Sequence, residues 1–126
     1  VGMIKTDLKT LLENSDFVTC HVPLSAETKH LINSETLSYM KPTAYLINTS
    51  RGEIIDEQSL FIALSEKRIA GAALDVFEVE PPTNTELLQL PNIISTPHIA
   101  AQTKEAQELA STVIAEKIIQ SLLTNR

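Results

Sequence analysis

Arg51, Asp75, Glu78, Glu80 and His98 are the residues of this sequence whose types could do chemistry together. An arginine presents a planar fork that holds a carboxylate through two parallel bonds. A carboxylate beside an imidazole fixes one ring tautomer and favours the protonated ring. The combination suits a carbonyl next to a carboxylate, as in a 2-oxo acid. The arginine would hold the acid and polarise the keto oxygen, and the histidine would protonate that oxygen as a hydride reaches carbon. No protein side chain supplies hydride, so such chemistry calls for a nicotinamide.

Taken singly, each residue has a plainer reading. Arg51 reads as a surface charge bonded to a carbonyl, Glu78 and Glu80 as solvated loop carboxylates, and His98 as a structural or exposed histidine. Asp75 is different, because it follows the small apolar run Ala70 to Leu74, and a buried carboxylate needs a partner. His21 and His30 read as structural, with His21 at a strand end where its backbone would line a cofactor site.

What gathers these residues is the order of the elements. Thr6 is placed to cap a helix DLKTLLEN. DFVTCHV reads as a strand, ended by Pro23. Ser34 is placed to cap a short helix ETLSYM, which stops before Pro42. TAYLIN is a second strand, Asp56 caps the helix EQSLFIALSEKR, AGAALDV is a third strand and NIIST a fourth. TKEAQELASTVIAEKIIQSLLT is a long helix with an apolar stripe of Ala106, Leu109, Ala110, Val113, Ile114, Ile118 and Leu122. EVEPPTNTELLQLP is the one long irregular piece. Strands and helices alternate, and the strands are expected to be buried on both faces. That predicts an α/β fold, a Rossmann-like parallel sheet with helices on both faces. Ligands bind such sheets at the carboxyl ends of the strands. Arg51, Asp75, Glu78, Glu80 and His98 each follow, or end, a strand, so the fold would collect them on one rim.

The bulk composition limits the alternatives. The chain has 126 residues, 43% of them hydrophobic, with a formal net charge of -6. That is enough for one domain with a core. The negative balance argues against nucleic-acid or anionic-membrane partners, and no apolar run approaches the ~20 residues of a membrane span. The single cysteine, Cys20, lies in an apolar stretch and reads as a buried small hydrophobe. Disulfide frameworks and cysteine-based zinc sites are excluded, no metal site is expected, and a cytoplasmic protein fits by default.

The stretches NTSRGEIIDEQSL, IAGAALDVFEVEPP, NIISTPHIAAQTKEAQ and SDFVTCHVPLSAETKHLIN together closely resemble the D-isomer-specific 2-hydroxyacid dehydrogenases. That family includes D-3-phosphoglycerate dehydrogenase and the hydroxypyruvate and glyoxylate reductases. The resemblance spans nearly the whole chain. It implies that Arg51 is the substrate-carboxylate arginine, His98 the acid/base histidine and Glu80 its partner. It implies that Asp75 lies near the nicotinamide carboxamide and that Thr49 and Ser50 run along the cofactor. His21, Val22 and Pro23 would lie near the adenosine with Thr28 close by, and Ala100 and Ala101 beside the nicotinamide. The implied cofactor is NAD or NADP, and the implied substrate a small 2-oxo or 2-hydroxy acid.

One part of the family pattern is missing. The dinucleotide domain opens with a G-x-G-x-x-G turn whose following helix holds the pyrophosphate. This chain has only Gly2, Gly52 and Gly71. Residues 1–126 are therefore expected to be a single partial dinucleotide-binding domain, its C-terminal half, with GMIKT as the remnant of a strand. The sequence starts at Val1 rather than at a methionine, in keeping with a fragment. The isolated chain would then be inactive, and an uncovered strand edge would favour a homo-oligomer. Two other readings stay open at this point: a non-enzymatic interaction module, and a self-assembling α/β protein that reuses the half-domain.

Overall fold

The computed structural model describes residues 2–124. Its strands are β1 (Phe17–Cys20), β2 (Tyr45–Asn48), β3 (Gly71–Leu74) and β4 (Ile93–Ser95). The helices are α1 (Leu8–Asn14), α2 (Ser34–Ser38), α3 (Glu57–Ser65), α4 (Thr85–Leu88) and α5 (Lys104–Thr124), with a 3-10 turn at Gly52–Ile54. The strands form one sheet in the order β1-β2-β3-β4, every neighbouring pair parallel. This is the parallel α/β sheet that the alternating pattern predicts.

The helix starts follow from local capping. Asp56 caps α3 as expected, its carboxylate accepting the Ser59 amide at 3.0 Å. The other two caps fall one residue from their expected positions. Asp7, not Thr6, caps α1 by accepting the Thr10 amide at 2.9 Å. Asn33, not Ser34, caps α2, accepting the amides of Glu35 and Thr36, while the Thr36 hydroxyl accepts the Asn33 amide in return. Aspartate outranks threonine at this position, so Asp7 follows the intrinsic preference; asparagine and serine rank alike, and Asn33 is favoured by the reciprocal bond that Thr36 returns. The segment expected to be wholly irregular contains α4, capped by Asn84 and anchored by the fully buried Leu87.

One expectation fails in an instructive way. The strands are not buried on both faces. Val18, Leu46 and Ala72 lie in one register row, Cys20, Asn48 and Leu74 in another. Both rows are buried. They pack in one core with Leu12 of α1, Leu37 of α2, Leu60 and Leu64 of α3 and Leu87 of α4. The opposite face carries Phe17, Tyr45 and Ile94, which are 69%, 45% and 71% exposed. The Phe17 and Tyr45 rings stack there at 5.6 Å. The strand order supplies the reason. Parallel crossovers are right-handed, and here each one steps to the next strand in the same direction. All the crossover helices therefore fall on a single side.

Helix α5 does not cover the other side. Its apolar stripe is real in sequence, but Leu109, Ile114, Ile118 and Leu122 are all exposed. The GMIKT segment forms no strand, and Met3 and Ile4 are almost wholly exposed. Among the described residues nothing pairs with the outer edge of β1.

Candidate active site

The carboxyl ends of β1, β2, β3 and β4 lead into the loops that hold every candidate residue. After β2 the chain turns sharply at Asn48, whose side chain is fully buried. Its carboxamide oxygen accepts the Ser50 amide at 3.1 Å and the Ser50 hydroxyl at 2.8 Å. Its nitrogen donates to the Arg51 carbonyl at 2.8 Å. Arg51 itself is exposed, and its Nη1 donates to the Ser50 carbonyl at 2.7 Å.

The loop after β3 carries Glu80, whose Oε1 accepts the Phe77 amide at 3.2 Å. Its Oε2 lies 2.8 Å from His98 Nδ1. The histidine beside it, and then the Phe77 amide, hold the Glu80 carboxyl below its ordinary value. An ionised carboxylate only accepts, so Nδ1 carries the proton of this bond and Nε2 is left to exchange one with a ligand. His98 adopts a left-handed backbone conformation, with φ of 55°. Such conformations are uncommon outside glycine and persist where the surroundings impose them.

Asp75 supplies that imposition. It is 4% exposed, so its carboxylate needs partners. It finds them in the loop after β4: the Thr96 hydroxyl and the Ile99 amide on one oxygen, the Ala100 amide on the other. The His98 amide donates to the Asp75 carbonyl at 2.9 Å. Burial pushes the Asp75 carboxyl up, but Thr96, the two amides and the nearby His98 outweigh it and hold the group below its ordinary value. The carboxylate thus ties down residues 96–100 around the histidine.

Two cavities meet at Arg51. One of about 250 Å³ is lined by Arg51, Glu78, Glu80 and His98, with Gly52 and Phe77. The other, of about 480 Å³, is lined by His21, Val22, Pro23, Leu24, Ser50 and Arg51. The fold therefore brings Arg51, Glu80 and His98 together, and it brings His21, Val22, Pro23 and Ser50 together beside them. Thr49 is exposed at the same strand end, and Ala100 and Ala101 are exposed beyond β4. Thr28 does not line either cavity. Its hydroxyl donates to the Pro23 carbonyl at 2.7 Å and accepts the Ser25 amide, fixing the turn that carries Pro23.

Several residues that the sequence reading passed over, or also read as solvated, support this rim. Asn48 and Thr96 are described above. Glu78, read as a solvated loop residue, accepts the Glu57 amide at 2.9 Å, and its own amide donates to Glu57 Oε1 at 2.6 Å. This reciprocal pair fastens the loop after β3 to the start of α3. His30 Nε2 approaches Glu78 Oε2 to 3.3 Å without the alignment of a hydrogen bond. A buried polar residue at the end of an apolar strand is a signal that would have flagged Asn48. The Glu57–Glu78 contact, 21 residues apart, has no local signature.

A parallel sheet with clefts at its strand ends, one of them holding a histidine–carboxylate pair, is the arrangement of the Rossmann-like class of cofactor-binding domains. The chain belongs to the D-isomer specific 2-hydroxyacid dehydrogenases, matching the NAD binding domain of that family over residues 1–100. It is 55% identical to a glyoxylate reductase of Thermofilum pendens over 115 residues, 90% of this chain and 34% of that protein. It is 49% identical to a D-3-phosphoglycerate dehydrogenase of Methanocaldococcus jannaschii over 112 residues, 89% of this chain and 21% of that protein. Among solved structures it superposes on an acyclic imino acid reductase in complex with NADPH and D-Arg. That match has a TM-score of 0.88 at 36% identity and covers 94% of this chain and 38% of the other. The chain thus spans about a fifth to two fifths of the length of these relatives.

Proposed function

We propose that residues 1–126 are a partial dinucleotide-binding domain, the cofactor-side portion of an NAD(P)-dependent oxidoreductase acting on the CH-OH group of D-2-hydroxy acids. The observation that carries this reading is the single cleft shared by Arg51 and the Glu80–His98 pair. The resident cofactor, when bound, supplies or accepts the hydride that no side chain can. The residues present fit one part of it. His21, Val22, Pro23 and Ser50 line a cavity that shares Arg51 with the acid/base cleft, and Thr49, Ala100 and Ala101 are small and exposed at the same strand ends. No glycine-rich turn is present to hold the pyrophosphate, so in this reading the isolated chain is inactive.

The protein's own steps follow from the site. Arg51 holds the carboxylate of a 2-oxo acid and draws electron density from the adjacent keto oxygen. His98 donates its Nε2 proton to that oxygen as carbon receives the hydride, giving the 2-hydroxy acid. The positive charge of His98 before transfer is supported by Glu80, and afterwards the ring is neutral with Nδ1 still bonded to the carboxylate. In the oxidative direction the same nitrogen takes the proton back. Asp75 and Thr28 act by holding loops rather than by touching the reacting atoms.

Two further parts of the reading concern the whole protein. The exposed outer edge of β1 supports assembly with a second copy. Buried, unpaired Cys20 and the lack of any helix long and apolar enough to cross a membrane among the described residues support action in the cytoplasm.

The test is steady-state kinetics of the full-length gene product with NADH or NADPH and a panel of 2-oxo acids. Arg51→Ala is expected to raise KM for the acid roughly 10- to 100-fold, the worth of a charge-assisted bond pair. His98→Ala is expected to lower kcat by ~10²–10⁴-fold, the usual worth of one proton donor. Unchanged turnover in His98→Ala would overturn the assignment.

A further inference from the structure

Among the described residues, only the backbone of residues 48–51 holds the Arg51 guanidinium. The side chain is exposed, makes no ion pair among the described contacts, and rests through Nη1 on the carbonyl of its own neighbour, Ser50. Whatever fixes the Ser50 and Arg51 peptides therefore fixes the direction from which the guanidinium meets a ligand. One buried side chain does both. Asn48 takes the Ser50 amide and hydroxyl on its oxygen, and its nitrogen holds the Arg51 carbonyl.

The same residue is linked to the acid/base side of the cleft. The Asn48 main-chain carbonyl accepts the Asp75 amide at 2.9 Å, and the Asp75 carbonyl accepts the His98 amide at 2.9 Å. A continuous line of hydrogen bonds thus runs across three strand ends, from Arg51 through Asn48 and Asp75 to His98. Its backbone links are ordinary ladder extensions that any sequence would make. The Asn48 carboxamide is the link that depends on residue type.

We propose that Asn48 is a positioning residue for Arg51, setting the distance and angle at which the guanidinium receives a substrate carboxylate. This rests on the reading of Arg51 as the carboxylate clamp. The chemistry of the site specifies asparagine. Both an acceptor facing Ser50 and a donor facing the Arg51 carbonyl are required within one short, planar group. Aspartate keeps the acceptor but turns a negative oxygen on the Arg51 carbonyl. Leucine, similar in volume, leaves the Ser50 amide and the Arg51 carbonyl without their partner.

A double-mutant cycle on the full-length gene product tests this, with NADH and glyoxylate as the substrates and thermal melting as the control for folding. Asn48→Asp is expected to raise KM for glyoxylate on the order of 10- to 100-fold, the effect of misplacing a substrate-holding group by about 1 Å. KM for NADH and kcat should each stay within about threefold. In the Arg51→Ala background, Asn48→Asp should add no further rise, because it acts through the missing guanidinium. A merely structural role would instead add its effect in both backgrounds and spread it over kcat and both KM values. That additive pattern, or an unchanged KM in Asn48→Asp while Arg51→Ala raises it, overturns the proposal and leaves the clamp reading standing. An unchanged KM in Arg51→Ala alone overturns the clamp reading, and the proposal with it. Should Asn48→Asp fail to fold, Asn48→Ser, which is short and uncharged, goes through the same cycle with the same expected outcomes.

Discussion

That Arg51, Glu80 and His98 share one cleft was legible because strand ends of a parallel sheet share one edge, so residues spread over 47 positions fall on a common rim. What holds them was not legible. The Asp75 carboxylate was expected beside a cofactor, yet its oxygens are engaged by Thr96, Ile99 and Ala100, partners more than 20 positions away. This has a measurable consequence in acid. Asp75 and Glu80 both titrate below their ordinary values in the folded protein. A carboxyl with a depressed folded pKa stabilises the fold above its unfolded pKa, and that contribution is lost as pH falls through the folded value. Glu57 acts in the opposite sense, because burial and then the nearby Glu78 charge raise it, so its protonation on acidification relieves strain rather than adding it. Melting temperature should therefore change little from neutrality to about pH 5 and fall steeply below about pH 4. In Asp75→Asn the melting temperature should be lower at neutral pH and the acid slope shallower. Equal acid slopes in the two proteins, followed by circular dichroism, would show that Asp75 is not a paired carboxylate in the fold.

The regular elements show which sequence signals carry furthest. Each strand read from the sequence exists, β1, β3 and β4 shortened at both ends and β2 only at its start, since an apolar run marks a strand's centre better than its limits. The cap at Asp56 was plain because one good capping residue stood alone before an apolar-periodic run. At Thr6-Asp7 and Asn33-Ser34 two candidates were adjacent; the better acceptor won in the first pair, and in the second, whose members rank alike, Asn33 gains a capping box with Thr36. Helix α4 was hidden among prolines and owes its existence to the Asn84 cap and the burial of Leu87. The 3-10 turn after Arg51 had no sequence signal beyond Gly52, and here the glycine answers a packing demand. A Cβ at position 52 would lie 1.9 Å from the Phe77 carbonyl oxygen. The backbone of the turn after β2 thus presses directly on the loop after β3, next to the cleft. Gly52→Ala must force the two loops apart. It is expected to destabilise the protein by about 2–3 kcal/mol, as overpacking against a fixed backbone does. It should also displace Glu80, which bonds the Phe77 amide. Urea denaturation measures the first effect; a wild-type midpoint in the variant would mean that the two loops are not held in contact.

The arrangement of the whole molecule was the part least accessible from sequence. Two-sided apolar strands such as DFVTCHV and TAYLIN suggested helices on both faces, but the pattern of hydrophobicity says that a face is suited to burial, not what buries it. The one-way strand order then places the crossover helices α2, α3 and α4 on a single side, where Leu12 joins α1 to the same core. Phe17, Tyr45 and Ile94 lie open on the other, and β1 offers an unpaired edge. An unpaired strand edge presents a row of backbone donors and acceptors to another chain. The aromatic pair Phe17–Tyr45 stands at that same edge, so pairing there would remove both backbone polar groups and aromatic surface from water. The chain of residues 1–126 is therefore expected to self-associate, with light scattering giving at least twice its 13.9 kDa mass. Phe17→Lys places a charge on the open face of the edge strand without touching the buried row of Val18 and Cys20. It should shift the population towards monomer while leaving the circular dichroism spectrum unchanged. A wild-type chain that scatters as a monomer at high micromolar concentration would rule out assembly through β1.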